Sequence, residues 1–175
     1  MFAKLLGRRA NPRIGDTLYG FAVEQARTPA FYTRLGVADR IDARFELYTL
    51  HVLLLVMRLR DEGETGADMG QTLFDTYVSA LDHALRELGV GDISVGKKMR
   101  KLGEALYGRM TAYEAPLRAG DTTALSDALA KNIYEGDDAT GAPALAAYAV
   151  ASRAQLATQS LSDITKAPKW AEISQ

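Results

Sequence analysis

Gly91-Asp92-Ile93-Ser94-Val95-Gly96-Lys97-Lys98 has the Gly-x4-Gly-Lys spacing of a phosphate-binding loop. In that motif backbone N–H groups surround the phosphates, the lysine reaches the terminal ones, and a following hydroxyl holds magnesium. Here the following residue is Lys98, and the stretch before the motif has helical rather than strand periodicity. Nucleotide binding is therefore not expected. Glu46, His51 and Arg109 form a second set, of types that move protons and hold anions. His51 lies five residues beyond Glu46, away from the face one helical turn along. The other histidine is His83, and neither His-Glu-x-x-His nor Glu-x-x-His occurs. These absences argue against zinc-peptidase and di-iron bundle sites. No Gly-x-Ser-x-Gly elbow is present, and the pairs Asp61-Glu62 and Asp137-Asp138 adjoin glycines as solvated connections do.

Charge points to binding. The whole chain has 21 basic and 22 acidic residues, a formal net charge of -1, so no global field draws in nucleic acid. From Ser94 to Arg109, however, the bases are Lys97, Lys98, Arg100, Lys101 and Arg109, and Glu104 is the acid. Such a row suits an acidic protein face, anionic headgroups or an RNA backbone, or it is a solvated helix face. Arg44 and Glu46 occupy an otherwise apolar helix, where a structural ion pair is expected before catalysis.

The elements that must position these residues are helical. Apolar residues recur at three- and four-residue steps in six segments, about 16–32, 42–60, 71–88, 94–113, 122–134 and 143–160. Asp42 and Ser94 are the expected N-caps of the second and fourth segments. The second segment is apolar on more than one side after Leu50 and should be central. Gly63, Gly66 and Gly70 read as the loop after it, Gly103 as a close helix crossing, and Pro116 with Gly120 as a break. Trp170, the single tryptophan, can dock back onto the bundle. The expected fold is all-α, one soluble bundle of about six or seven helices over 14–175, after a basic, flexible segment 1–13. The chain has no cysteine, which excludes disulfides and thiolate ligands, and its densest apolar run, Val52 to Met57, is far too short to span a bilayer.

Two stretches carry a resemblance. Phe31-Tyr32-Thr33-Arg34-Leu35-Gly36-Val37 with Asp42-Ala43-Arg44-Phe45-Glu46-Leu47-Tyr48-Thr49-Leu50-His51 is one. Leu85 through Lys101, continued by Ala105-Leu106-Tyr107-Gly108-Arg109, is the other. Together they resemble the ubiquinol–cytochrome c chaperone family over about residues 30–117. Ala43 departs from an Asp-Gly-Arg form common in that family. The resemblance implies a non-catalytic, all-helical assembly factor for the cytochrome bc1 complex, without a cofactor. It implies a bacterial form, cytoplasmic or peripheral at the inner membrane, with a protein client or assembly partner such as cytochrome b or another bc1 component. Ribosome contact enters as a further expectation and DNA does not. By position it assigns Arg44, Phe45, Glu46, His51, Asp75, Asp92, Ser94, Gly96, Tyr107 and Gly108 to a shared scaffold. Lys97, Lys98, Arg100, Lys101 and Arg109 become candidates for the binding surface. Two alternatives stay open: a nucleic-acid or ribosome-binding module, and a small helical enzyme built on Glu46, His51 and Arg109.

Overall fold

The structure, a computed structural model, describes residues 11–135 and 138–174, with the side chains of Pro12, Asp92 and Ile93 left aside. The expected basic segment therefore lies largely outside the described residues, although Pro12 and Arg13 already form the first turn of a helix. Eight α-helices are seen among the described residues, and no strand. They are α1 (Pro12–Ala26), α2 (Pro29–Thr33), α3 (Ile41–Arg60), α4 (Gly63–Glu87), α5 (Asp92–Ala119), α6 (Thr122–Leu129), α7 (Ala142–Ala157) and α8 (Leu161–Lys166). A π-helical turn, Ala130–Tyr134, prolongs α6. No described helix is long and apolar enough to cross a membrane.

Helix α3 is the axis of the bundle. Every residue from Leu47 to Leu59 is buried, and α1, α4, α5, α7 and the π turn pack around it. A run apolar on all sides has no solvent face to offer, so surrounding it with helices is the arrangement that keeps it from water. The polar residues in the run are each satisfied. Thr49 donates to Phe45 O at 2.9 Å or shares a proton with Tyr77 OH at 2.7 Å. Arg58 Nε donates to Leu156 O at 2.8 Å, and its Nη2 reaches Gln159 O at 2.5 Å and the Glu62 carboxylate. One guanidinium thus ties α3 to the C-terminal end of α7.

Four local expectations are corrected. The glycines at 63, 66 and 70 do not form a loop; α4 begins at Gly63 and the other two are buried in its first turns. A Cβ at Gly66 would collide with Leu59 O and come within 2.7 Å of Glu62 Cβ, so glycine is required for α4 to turn back tightly against α3. Gly103 is the reverse: a Cβ there meets nothing within 4 Å, and no helix crosses at that point. Pro116 does not end α5, which continues to Ala119 and closes on Gly120 at φ 67°. Tyr113 and Leu117, one turn apart, are both buried and hold the helix through the missing backbone bond. The N-caps are Arg40 and Gly91, not Asp42 and Ser94; Asp42 instead stands in the first turn of α3, where its charge favours the helix dipole.

Trp170 does return to the core. Its ring meets His51 edge-on at 5.1 Å between centroids, while Phe31 covers the same imidazole at 5.4 Å. The turn before this tail is α8, started by a Ser160–Asp163 capping box. That helix went unforeseen, although Ser160-Leu161-Ser162-Asp163 carries the spacing that signals such a start.

Candidate functional site

Helix α5 is 28 residues long and divides into two halves. The first half rests on Val95 and Leu106, which are buried, and on Met99 and Leu102, which are half-buried. Lys97, Lys98, Arg100 and Lys101 all stand exposed, and no ion pair or hydrogen bond engages them among the described residues. Ser94, Gly96 and Gly108 are also exposed, and no side chain or neighbouring backbone comes within 4 Å of a Cβ built at either glycine. Asp92 keeps its place in the first helical turn, but its side chain lies outside the described residues.

Arg109 does not belong to this row. Its guanidinium turns inward and meets Glu46 of α3 at 2.5 Å, with 25% and 14% of the two side chains exposed. This is the ion pair expected for Glu46, and it pins α5 to the axis. It is incompletely satisfied: Glu46 Oε2 and Arg109 Nε have no hydrogen-bond partner among the described residues. Burial pushes the Glu46 carboxyl up to about 7, overriding the neighbouring guanidinium, with Glu135 and Asp42 adding repulsion. Burial likewise raises the hydroxyl pKa values of Tyr77 and Tyr113.

His51 is placed elsewhere. It is fully buried, with Nδ1 at 2.7 Å from Leu47 O and Nε2 at 2.9 Å from Tyr148 OH. Burial lowers its pKa to about 4, so the ring is neutral. Its neighbours, Phe31, Tyr148 and Trp170, are not those of Glu46 and Arg109. The three residues of the enzyme alternative therefore do not converge on one cavity. Arg44 pairs with Asp39 at 2.6 Å on the exposed start of α3, which lowers the Asp39 pKa, and it also lies over the Tyr32 ring. Phe45 is half-buried against Tyr48. Asp75 accepts from Gln71 at 2.8 Å on the outer face of α4. No group of three metal-ligating side chains is found among the described residues.

Sequence reading did not locate a concavity, and the structure has one. A groove of about 420 Å³ runs between α3, α4 and the second half of α5. Gly70 and Ala67 form part of its floor, Phe74 and Met110 its apolar walls, and Arg60 and Glu114 its charged end. Tyr107, 76% exposed, stands at the rim. Gly103 lies one turn further toward the cationic row on the same face of α5. The sequence signal was faint: two small residues on α4 opposite an aromatic and a methionine on α5.

Residues 33–170 match the model of the family described as ubiquinol-cytochrome C chaperone. The chain belongs to the ubiquinol–cytochrome c chaperone family. Two curated relatives are ubiquinol–cytochrome c reductase complex assembly factor 1 of Xenopus laevis and of Mus musculus. The first is 22% identical over 116 residues, 66% of this chain and 58% of that one. The second is 23% identical over 104 residues, 59% of this chain and 35% of the other. This chain thus spans about half or less of the curated relatives it matches. The crystal structure of the Cbp3 homolog from Brucella abortus superposes with a TM-score of 0.83 at 33% identity, covering 93% of this chain and 91% of that one. Family and fold therefore extend well beyond the stretch from which the sequence suggested them.

Proposed function

We propose that this protein is a bacterial assembly factor for the cytochrome bc1 complex, holding a protein client without chemical turnover. The observation that carries the reading is the row of Lys97, Lys98, Arg100 and Lys101, exposed and unpaired on a bundle of this family. Holding long cations in water near one another is not required for folding, whereas every buried polar residue of α3 has an internal partner. The row steers an acidic partner face into register, and nearby apolar surface supplies affinity. Cytochrome b, or another bc1 component, is the proposed client. The site of action is the cytoplasm, with peripheral contact at the inner membrane where that client inserts.

The experiment combines gene deletion with charge reversal. Deletion should lower bc1 activity and the amount of assembled complex. Lys97→Glu with Lys98→Glu should leave helicity and melting temperature unchanged and weaken co-purification of bc1 subunits. Normal bc1 assembly without the gene would refute the assembly role. Undiminished capture by the folded charge-reversed protein would remove the cationic row from it.

A further inference from the structure

Arg100 stands on the groove-facing side of α5 and Lys97 at the border of that side, whereas Lys98 and Lys101 lie further round the helix. Helices α4 and α5 are joined by a short turn at 88–91 and run as antiparallel neighbours. Along α4, Phe74, Val78 and Leu85 remain half-buried, and Leu88 is 60% exposed. Along α5, Gly103 leaves the space beside them open, between Tyr107 and Arg100. From Lys97 to Glu114, at a rise of 1.5 Å per residue, this stretch of α5 is about 25 Å long, with the groove at its Glu114 end. That length fits a helix of about 17 residues. The valley beside it has an apolar floor, and its two ends differ in charge. At the groove end Glu114 is occupied by Arg60 at 3.7 Å and Arg118 at 2.8 Å. At the other end Arg100 and Lys97 have no partner among the described residues.

We propose that this valley takes an amphipathic helix of a partner protein, its apolar edge against Phe74, Met110 and Tyr107 and its acidic residues over Arg100 and Lys97. The inference rests on the reading of the row as a protein-binding surface and supplies the class of segment that it binds. Charge complementarity selects the occupant. An anionic lipid surface is flat and would not use the groove, and an RNA backbone would leave its apolar floor unfilled. An apolar helix without acids would leave Arg100 and Lys97 beside a dehydrated surface without counter-charges. The exposed Tyr107 is the type of residue that anchors such contacts, being large, stiff and amphipathic.

Gly103→Leu is the decisive variant. The Leu side chain enters open space, replaces a poor helix former by a good one, and obstructs the valley without disturbing the core. The full chain, with methionine methyls isotopically labelled, is titrated with two synthetic amphipathic helices of identical apolar face, one flanked by glutamates and one by lysines. The glutamate helix should shift the Met110 methyl resonance, with affinity falling steeply as salt rises. Gly103→Leu should weaken it about tenfold or more while melting at or above the wild-type temperature. Equal binding of the lysine helix, or indifference to Gly103→Leu, would overturn the proposal. So would a Met110 shift produced by phosphatidylglycerol vesicles or a single-stranded RNA in place of the helix. The two readings fail separately. Restoration of bc1 assembly in the deletion strain by Gly103→Leu would sink the valley alone, and normal bc1 levels in that strain with helix binding intact would sink the assembly role alone.

Discussion

Replacing Glu46 by glutamine should change how the stability of this protein depends on pH, in a calculable direction. The carboxyl group is 14% exposed, one oxygen lacks a partner among the described residues, and its pKa rises from 4.5 to about 7 through burial. At 1.36 kcal/mol per tenfold, that displacement corresponds to about 3 kcal/mol. The folded chain binds the proton more tightly than the unfolded one. The stabilising contribution is therefore complete below pH 4.5 and is lost as pH rises through about 7. Glutamine has no such proton. Urea unfolding of both proteins, followed by circular dichroism from about pH 5 to about pH 8, isolates the effect. Wild type should lose about 2–3 kcal/mol relative to Glu46→Gln across that interval. His51 acts in the opposite sense. Its pKa falls from 6.5 to about 4, so its contribution is present above 6.5 and lost on acidification. It is common to both proteins and cancels in the difference. Parallel stability profiles would show that Arg109 compensates the dehydration fully and that the ion pair is an asset at neutral pH, contrary to the burial argument.

Four further substitutions test the packing. Gly66→Ala should destabilise by about 1–3 kcal/mol, because its Cβ collides with the Leu59 carbonyl. Gly103→Ala, with nothing within 4 Å of the new carbon, should stabilise by up to about 1 kcal/mol in the same denaturation assay. Arg58→Ala should cost about 3 kcal/mol or more, since it strands the Leu156 and Gln159 carbonyls and leaves a void at the core. Arg58→Lys should recover little of that loss, as an ammonium cannot reproduce the forked geometry.

Periodicity made most of the helices legible. The Leu73, Tyr77 and Leu81 face of α4 and the all-round apolar run of α3 reveal what they bury before any neighbour is known. Sequence reading failed where a residue's meaning depends on what lies opposite it. Gly66 and Gly103 are chemically identical, yet one touches a backbone carbonyl and the other faces open space. Pro116 reads as a stop because its local cost is visible, whereas the burial of Tyr113 and Leu117 that offsets it is not. The cationic row was readable in composition, but the inward turn of Arg109 required knowing that Glu46 sits across from it. The groove needed three helices to be placed together, and no single one of them announces it.

The enclosure of His51 has a consequence for biosynthesis. Its Nε2 partner, Tyr148, is translated 97 residues later, and the indole that caps its ring later still. During vectorial synthesis the middle of the central helix must therefore wait for its cover until Trp170 has left the ribosome. The centre of the bundle is therefore covered late, and a premature stop before Trp170 would release a product with His51 uncapped.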